Sequence, residues 1–326
     1  MKIIIQKYGG TSLRNLNAKS KILTHIKKCI NEGNSLVIVV SAMGRQGDPY
    51  ATDTLIQQLE KINNNIDPKK KDLIMSCGET ISIAILSHLL DKENIPSEPL
   101  TGFQAGILTN NNFNCSEIIN IDTSTIMKYI KMGKIAVVAG FQGITKDNEI
   151  TTLGRGGSDT TAVALGGYLG AERIDIFTDV PGVGIIDPTI VPYTKYIKNI
   201  SYDNMYNLAS NGARIIHPKA VLIGKKFNIP IKITSTNSNV EGTLISNTPD
   251  IRKIIGITIK QKGENAVLSI FIDEEYNSIL LKDLKQFIYN NKNILDLVPY
   301  KKKISIILKE ENISHFAQNL YDHLFK

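Results

Sequence analysis

The sequence predicts an α/β protein with a mostly parallel sheet, followed by a small α+β unit, on three observations. Short apolar runs recur at residues 3–7, 36–40, 135–141, 174–178 and 229–234, the composition of strands buried on both faces. Stretches with apolar residues three and four apart alternate with them, at 17–31, 72–90, 124–131, 159–169 and 202–211. Near residue 246 the pattern changes: Ser246-Asn247-Thr248-Pro249-Asp250 reads as a linker, and about 70 residues without a Gly-rich turn follow.

Taken in order, the first strand runs into Lys7-Tyr8-Gly9-Gly10-Thr11-Ser12, where two glycines end it. The helix over 17–31 keeps Ile22, Ile26 and Ile30 on one face and stops before Gly33, a residue suited to the turn after a helix. Each later strand is followed by a helical stretch, and a strand–helix series of this kind builds a parallel sheet. The tail carries strand patterns at 256–260, 267–272 and 303–308 and helices at 278–289 and 313–324. The domains expected are therefore 1–245, a linker at 246–254, and an accessory unit at 255–326.

Composition narrows the function classes. A chain of 326 residues with 42% hydrophobic and 21% charged residues has ample material for a core. No apolar run reaches the roughly 20 residues of a membrane span, and Met1-Lys2-Ile3-Ile4-Ile5 is too short for a signal segment, so a cytoplasmic protein with no membrane partner is expected. Cys29, Cys77 and Cys115 are odd in number and widely spaced, which argues against a disulfide framework and against a CxxC metal site. The net charge of +7 is spread through Asn- and Ile-rich segments without interleaved aromatics. Small anionic substrates suit that charge better than nucleic acid.

The chemistry-bearing segments fall at strand ends. Thr152-Leu153-Gly154-Arg155-Gly156-Gly157-Ser158-Asp159 lies between a strand and an apolar helix and offers backbone N–H groups to an anion, with Arg155 and Asp159 beside them. Lys7 with Gly9 and Gly10 is a second anion site or an ordinary strand–helix turn with a solvated lysine. It is not a Walker A loop. Ser41, after the strand at 36–40, is a donor to a carboxylate or phosphate, or a cap. Glu79 in Cys77-Gly78-Glu79-Thr80 sits among apolar neighbours and needs a cation if buried, unless it caps a helix. Asp179, in Thr178-Asp179-Val180-Pro181-Gly182, is a ribose or metal-phosphate contact or the residue of an Asx turn.

These segments together resemble the aspartate kinases. The resemblance rests on Lys-Tyr-Gly-Gly-Thr-Ser at 7–12, Val-Val-Ser-Ala-Met at 39–43, Ser-Cys-Gly-Glu at 76–79, Leu-Thr-Gly-Phe-Gln-Ala-Gly at 100–106, Gly-Arg-Gly-Gly-Ser-Asp at 154–159, Phe-Thr-Asp-Val-Pro-Gly at 177–182 and Gly-Ala-Arg-Ile-Ile-His-Pro at 212–218, closing with Gly-Thr-Leu-Ile at 242–245. It covers roughly the first 245 residues, and residues 41–53 look most like the bacterial enzymes of diaminopimelate and lysine synthesis. It implies the amino-acid kinase fold, a three-layer α/β/α sandwich, with an ACT-like unit after it. The implied reaction transfers the γ-phosphoryl group of MgATP to the side-chain carboxylate of L-aspartate. Lys7, Gly9 and Gly10 then serve the phosphoryl group, with Asp159 orienting Lys7. Ser41, Thr52, Glu79, Arg155 and Ser158 surround aspartate, and Thr178, Asp179, Gly182, Asp187 and Arg214 serve the nucleotide. No protein ligand to a metal is expected, and the C-terminal region is expected to form a homodimer.

Departures accompany the resemblance. Gly184 stands where the family usually has Tyr, Thr189 where it has Arg after Asp-Pro, and Arg214 where Lys is common. Loss of the side chains at 184 and 189 is expected to weaken ATP binding unless Arg214 or Lys219 supplies the missing charge. About 70 tail residues allow one ACT-like unit where related enzymes carry two, and its first strand leads into Asp273-Glu274-Glu275-Tyr276-Asn277 instead of a Pro-Gly ligand turn. A dimerisation module with weakened allostery is expected in preference to half of a shared ligand site. The competing functions are a weakly active or non-catalytic, amino-acid-binding regulatory subunit, a kinase of the same fold acting on glutamate, acetylglutamate, carbamate or UMP, and, weakest, a nucleic-acid binder.

Overall fold

The computed structural model describes residues 1–236, 241–289, 293–309 and 313–326. Its main sheet has eight strands in the order Asn199–Ser201, Thr243–Ser246, Ile231–Ser235, Arg173–Thr178, Ile3–Tyr8, Ser35–Val40, Ile135–Ala139 and Ser97–Leu100. Every pairing is parallel except that of Ile231–Ser235 with Thr243–Ser246. Strand Ile3–Tyr8 is the centre, bonded to Ser35–Val40 on one edge and Arg173–Thr178 on the other.

Alternation along the strands separates two cores. Ile4, Tyr8, Leu36, Ile38, Val40, Val137 and Ala139 pack with Ile22 and Ile26 of helix Leu16–Asn31 and with Ile83, Leu86 and Leu90 of helix Pro68–Lys92. Ile3, Ile5, Val37, Val39, Ala136, Val138, Ile174 and Ile176 face the other way, onto helices Ser124–Lys131, Gly157–Leu169, Tyr202–Ser210 and Pro218–Phe227. Successive side chains of a strand point to opposite faces, so runs such as Leu-Val-Ile-Val-Val serve both layers at once. This is the three-layer sandwich.

The elements differ from the sequence reading in informative places. Helix Pro68–Lys92 begins four residues before the expected start, because Asp67 caps it by accepting from the Lys69 and Lys70 N–H groups and Pro68 fits its first turn. Ile30, expected on the buried face of the first long helix, lies at the surface near its end. By length and composition the 25-residue helix Pro68–Lys92 is long and apolar enough to cross a membrane, which corrects the expectation that no segment is. It carries buried Asp72 and Glu79 and packs on the sheet, as a core helix does. A second sheet of four short strands, Ile118–Ile121, Ile107–Thr109, Gln142–Ile144 and Ile150–Thr152, was not foreseen. Strands of three or four residues are too brief to display alternation.

The C-terminal unit is an antiparallel sheet in the order Ile254–Lys262, Asn265–Ile272, Lys303–Lys309 and Ile294–Tyr300, with helices Asn277–Ile288 and Ile313–Phe325. It is ACT-like in its mixture of one small sheet and two helices. Strand Ile294–Tyr300 was missed in the sequence, and Asp273 to Asn277 follows the second strand of this sheet, not the first. The segment before the unit is tied down: Arg252 pairs with Asp250 and donates to the Ile255 and Asn199 carbonyls.

Truncating Leu86, which is fully buried between helix and sheet, is expected to cost about 2–5 kcal/mol through lost burial and a cavity. Urea unfolding of Leu86→Ala checks it, and a loss below about 1 kcal/mol would show that the layer collapses around the gap.

Candidate active site

The parallel strands end together. Lys7 is in register with Val39 and Ile176, and Val39 with Val138, so Lys7, Ser41, Gly140 and Thr178 reach one edge of the sheet. In an open parallel sheet the carboxyl edge is where ligands bind, because helix N-termini and loops gather there. Tyr8 anchors the central strand: it is fully buried, stacks on Phe177 at 4.7 Å and donates its hydroxyl to Gln6 Oε1 at 2.9 Å. Lys7, one residue earlier, takes the opposite face. Its Nζ lies 2.8 Å from Asp159 Oδ1, with both side chains little exposed. Asp159 has no well-aimed hydrogen bond at that oxygen, so the contact is an ion pair held by charge.

Gly10 and the turn after strand Ser35–Val40 need each other. A Cβ on Gly10 would sit 2.4 Å from the Ala42 carbonyl oxygen and 2.7 Å from that of Gly44, so only glycine permits the approach. The same turn receives Glu79 from helix Pro68–Lys92. Glu79 Oε1 accepts from the Ala42 N–H at 2.9 Å, while Oε2, equally buried, has no partner. Burial raises the Glu79 carboxyl to about 8, because the Ala42 N–H and the Lys7 charge offset the cost of desolvation only in part. The sequence reading required a cation for this carboxylate; Lys7 is committed to Asp159, and the chain supplies no ion pair to Glu79 among the described residues. The capping alternative does not hold, since Glu79 lies in mid-helix.

The loop after strand Ile150–Thr152 turns through left-handed backbone at Gly154 and Gly156, presents Arg155 between them, and enters helix Gly157–Leu169. Ser158 and Asp159 occupy that helix's first turn, near its positive end.

A cavity of about 630 Å³ joins these parts, a volume suited to a small molecule. Lys7, Gly10, Ser41, Thr52, Glu79, Arg155, Ser158 and Asp159 all line it. Gly9 adjoins it, 3.8 Å from Lys7 Nζ at its would-be Cβ. The sequence reading missed Arg45, Lys71, Asn114 and Phe141, which also line it. Phe141 has a positive φ of 69° just past the end of strand Ile135–Ala139, in a run read as continuous strand. Asn114 lies in a segment whose sequence carries no motif.

The five residues assigned to the nucleotide stand outside that cavity. Asp179 is exposed and pairs with Arg45 Nη2 at 3.0 Å, and Thr178 donates to its other oxygen. Asp187 caps its own loop, accepting from the Thr189 N–H at 2.9 Å and its hydroxyl at 2.7 Å. Thr189, expected as a loss, is thus the partner that shapes this turn. Gly184 is packed so that a Cβ would meet the Ile186 carbonyl oxygen at 2.5 Å, and a tyrosine would require the loop to move. Gly182 is buried against Thr243, and Arg214 is exposed. The C-terminal unit braces this loop. Ile257 N–H donates to the Ile185 carbonyl, Lys195 N–H to the Tyr321 hydroxyl, and Gln318 to the Ile190 carbonyl.

Among the described residues no group of three or more His, Cys, Asp or Glu side chains is placed to hold a metal. Cys29 is buried, and Cys77 and Cys115 are exposed free thiols.

Residues 2–235 match the model of the amino acid kinase family, and the chain belongs to that family. Aspartokinase 1 of Bacillus subtilis is 46% identical over 247 residues, covering 76% of this chain and 61% of that protein. The aspartokinase of Geobacillus stearothermophilus is 43% identical over 245 residues, 75% of this chain and 59% of its own. The chain therefore spans about three-fifths of the length of these relatives. Aspartokinase III of E. coli, solved with aspartate and ADP in its R-state, has the same fold, with a TM-score of 0.83 at 18% identity over the whole of both chains. Aspartate kinase from Synechocystis superposes with a TM-score of 0.66 at 31% identity, over 98% of this chain and 55% of that one.

The raised Glu79 carboxyl has a consequence for stability. Folded, it ionises near 8; unfolded, near its ordinary 4.5. Between those values the folded chain holds the extra proton, so stability falls as pH rises through the window. Glu79→Gln, which has no proton to lose, is expected to melt at least about 2 °C above the ligand-free parent near pH 9, with the gap closing near pH 5. A pH-independent gap in calorimetry would mean that this carboxyl does not titrate as its surroundings indicate.

Proposed function

We propose that the protein is an aspartate kinase, transferring the γ-phosphoryl group of MgATP to the side-chain carboxylate of L-aspartate to give 4-phospho-L-aspartate. The observation that carries this reading is the half-satisfied Glu79 carboxylate in the wall of a cavity that also holds Arg155 and an Asp159-paired Lys7. An α-amino acid brings an ammonium and a carboxylate, and the cavity has the complement of both. The substrate ammonium supplies the counter-charge that Glu79 lacks, and Arg155 can grip a carboxylate with two N–H groups. Ser41, Thr52 and Ser158 complete the polar lining. The aspartokinases among its relatives support the same substrate.

Physical chemistry makes the assignment economical. The attacking side-chain carboxylate, with an ordinary pKa of about 3.9, is already ionised near neutral pH and needs no general base. Rate then depends on alignment and on offsetting charge at the transferring group. Lys7, with the Gly9 and Gly10 backbone, faces the phosphoryl group, and Asp159 holds the lysine in place. Thr178, Asp179, Gly182, Asp187 and Arg214 belong to the ATP side, where the loop braced by the C-terminal unit must release Asp179 from Arg45 or bind around that exposed pair. Exposed pairs are weak, about 0–1 kcal/mol, so release is cheap. Mg²⁺ is proposed to enter on the nucleotide phosphates, supplying charge neutralisation there, since no acidic cluster of the described residues would cage it.

The domain division at 246–254, a cytoplasmic location where ATP is available, and a place at the head of lysine and diaminopimelate synthesis belong to the same proposal. So does a homodimer through the C-terminal unit, favoured by edge strand Ile294–Tyr300 with Leu295 and Tyr300 exposed. A protomer mass in sedimentation equilibrium would remove the dimer.

The deciding experiment traps acyl phosphate with hydroxylamine in MgATP plus aspartate or glutamate. Product with aspartate alone is expected; product with neither would favour the regulatory subunit. Lys7→Ala is expected to lower kcat about 10²–10³-fold with little change in the aspartate KM. Arg155→Ala is expected to raise that KM about tenfold or more, and Glu79→Gln to behave like it. A wild-type kcat in Lys7→Ala would displace the lysine from the phosphoryl group.

A further inference from the structure

The long helix that delivers Glu79 carries a second buried carboxylate that the proposed chemistry does not use. Asp72 lies seven residues before Glu79, two turns along the same side of the helix, and is fully buried. No cation pairs with it among the described residues; it is satisfied by donors instead. Its Oδ1 accepts from the Thr152 hydroxyl at 2.6 Å and its Oδ2 from the Thr152 N–H at 3.0 Å. The Asn114 N–H lies 2.9 Å and 3.1 Å from the two oxygens. A carboxylate buried without partners is expensive, so three converging donors mark a built contact.

Of these donors Asn114 lines the active-site cavity, and Thr152 is buried just behind its Gly154–Asp159 wall. Thr152 ends the short strand Ile150–Thr152, and Arg155 follows three residues later between two left-handed glycines. Two such glycines leave the loop free to swing unless its ends are held. One end is held by helix Gly157–Leu169. At the other, pairing with Gln142, the Ser116 donors to the Thr152 carbonyl and the Leu153 N–H to the Phe141 carbonyl hold the backbone, and Asp72 alone takes the Thr152 N–H and hydroxyl. Asn114, held by the same carboxylate, lines the cavity and donates its side-chain amide to the Pro68 carbonyl at 3.2 Å, tying the wall to the start of the helix.

We propose that Asp72 is a positioning residue: it fixes the strand end that precedes Arg155, and so sets the distance between the guanidinium and Glu79 that an amino-acid substrate must span. This rests on the reading of aspartate as substrate. Asp72 touches no reacting atom. One rigid helix thereby carries the group that meets the ammonium and the group that places the arginine for the carboxylate. Displacements of about 1 Å at such a site are enough to cost about 10²-fold in rate or binding.

Asp72→Asn keeps the size but turns one acceptor into a donor facing N–H groups. The aspartate KM is expected to rise about tenfold, with the ATP KM and kcat changed less than about threefold. In the Arg155→Ala background the same change is expected to add less than about twofold, because the residue acts through the arginine. Thr152→Val is expected to reproduce the defect and Thr152→Ser to restore it, which keeps the test usable if Asp72→Asn folds poorly. An aspartate KM within twofold of wild type in Asp72→Asn and Thr152→Val, or an equal rise with and without Arg155, overturns the proposal. Amide exchange at 153–157 separates this from the functional reading. If wild type makes no aspartyl hydroxamate but exchange there speeds up in Asp72→Asn, the substrate assignment has failed and the anchor stands. Unchanged exchange means the anchor itself is wrong.

Discussion

Strand Ile3–Tyr8 is hydrogen-bonded along both edges and buried on both faces, and the rest of the molecule is arranged around that constraint. A strand so enclosed can offer function only where it ends. Lys7 is the last position at which a side chain can still reach the carboxyl edge, and Tyr8 beyond it is locked by its stack on Phe177. Parallel neighbours in register bring Ser41, Gly140 and Thr178 to the same edge, so a cleft there follows from the pairing itself.

Within the cleft, charge is distributed unevenly. The Lys7 ammonium is matched by Asp159, whereas Glu79 is held by one N–H group and its other oxygen is buried without a partner. That costs the ligand-free protein stability at the pH where the carboxyl ionises, a trade common at binding sites. Asp72, one helix segment away and no less buried, is fully satisfied by donors. Two carboxylates of one helix thus differ in kind: one keeps an unpartnered oxygen beside the cavity, the other has donors on both oxygens.

The C-terminal unit enters through the backbone. Ile257 extends its hydrogen bonding to Ile185, and the last helix holds Lys195 and Ile190 through Tyr321 and Gln318. The 183–197 loop therefore has two parents, the main sheet and the small one. Its glycine at 184 and threonine at 189 fit this arrangement, with no room for a bulky side chain at the first and a capping role at the second.

The sequence alone determined the parallel sheet and the two-faced strands, and singled out Lys7, Ser41, Glu79, Arg155 and Asp159 along with Asp179, because period-two and helical periodicities, strand-end glycines and an isolated carboxylate in an apolar helix are all local signals; the fold brings the first five, and not Asp179, to one cavity. Glu79's need for a cation was legible for the same reason: burial follows from its neighbours. Only the tertiary structure decided that Lys7 is already claimed by Asp159, that Asp179 lies on Arg45, and that Asp187 caps its own turn. It alone revealed the small four-stranded sheet and the hold of Asp72 on Thr152 and Asn114. Apart from the Asp187 cap, those contacts join residues 42 to 152 positions apart, or strands too short for periodicity, and nothing local in a chain records which distant donor a buried oxygen will meet.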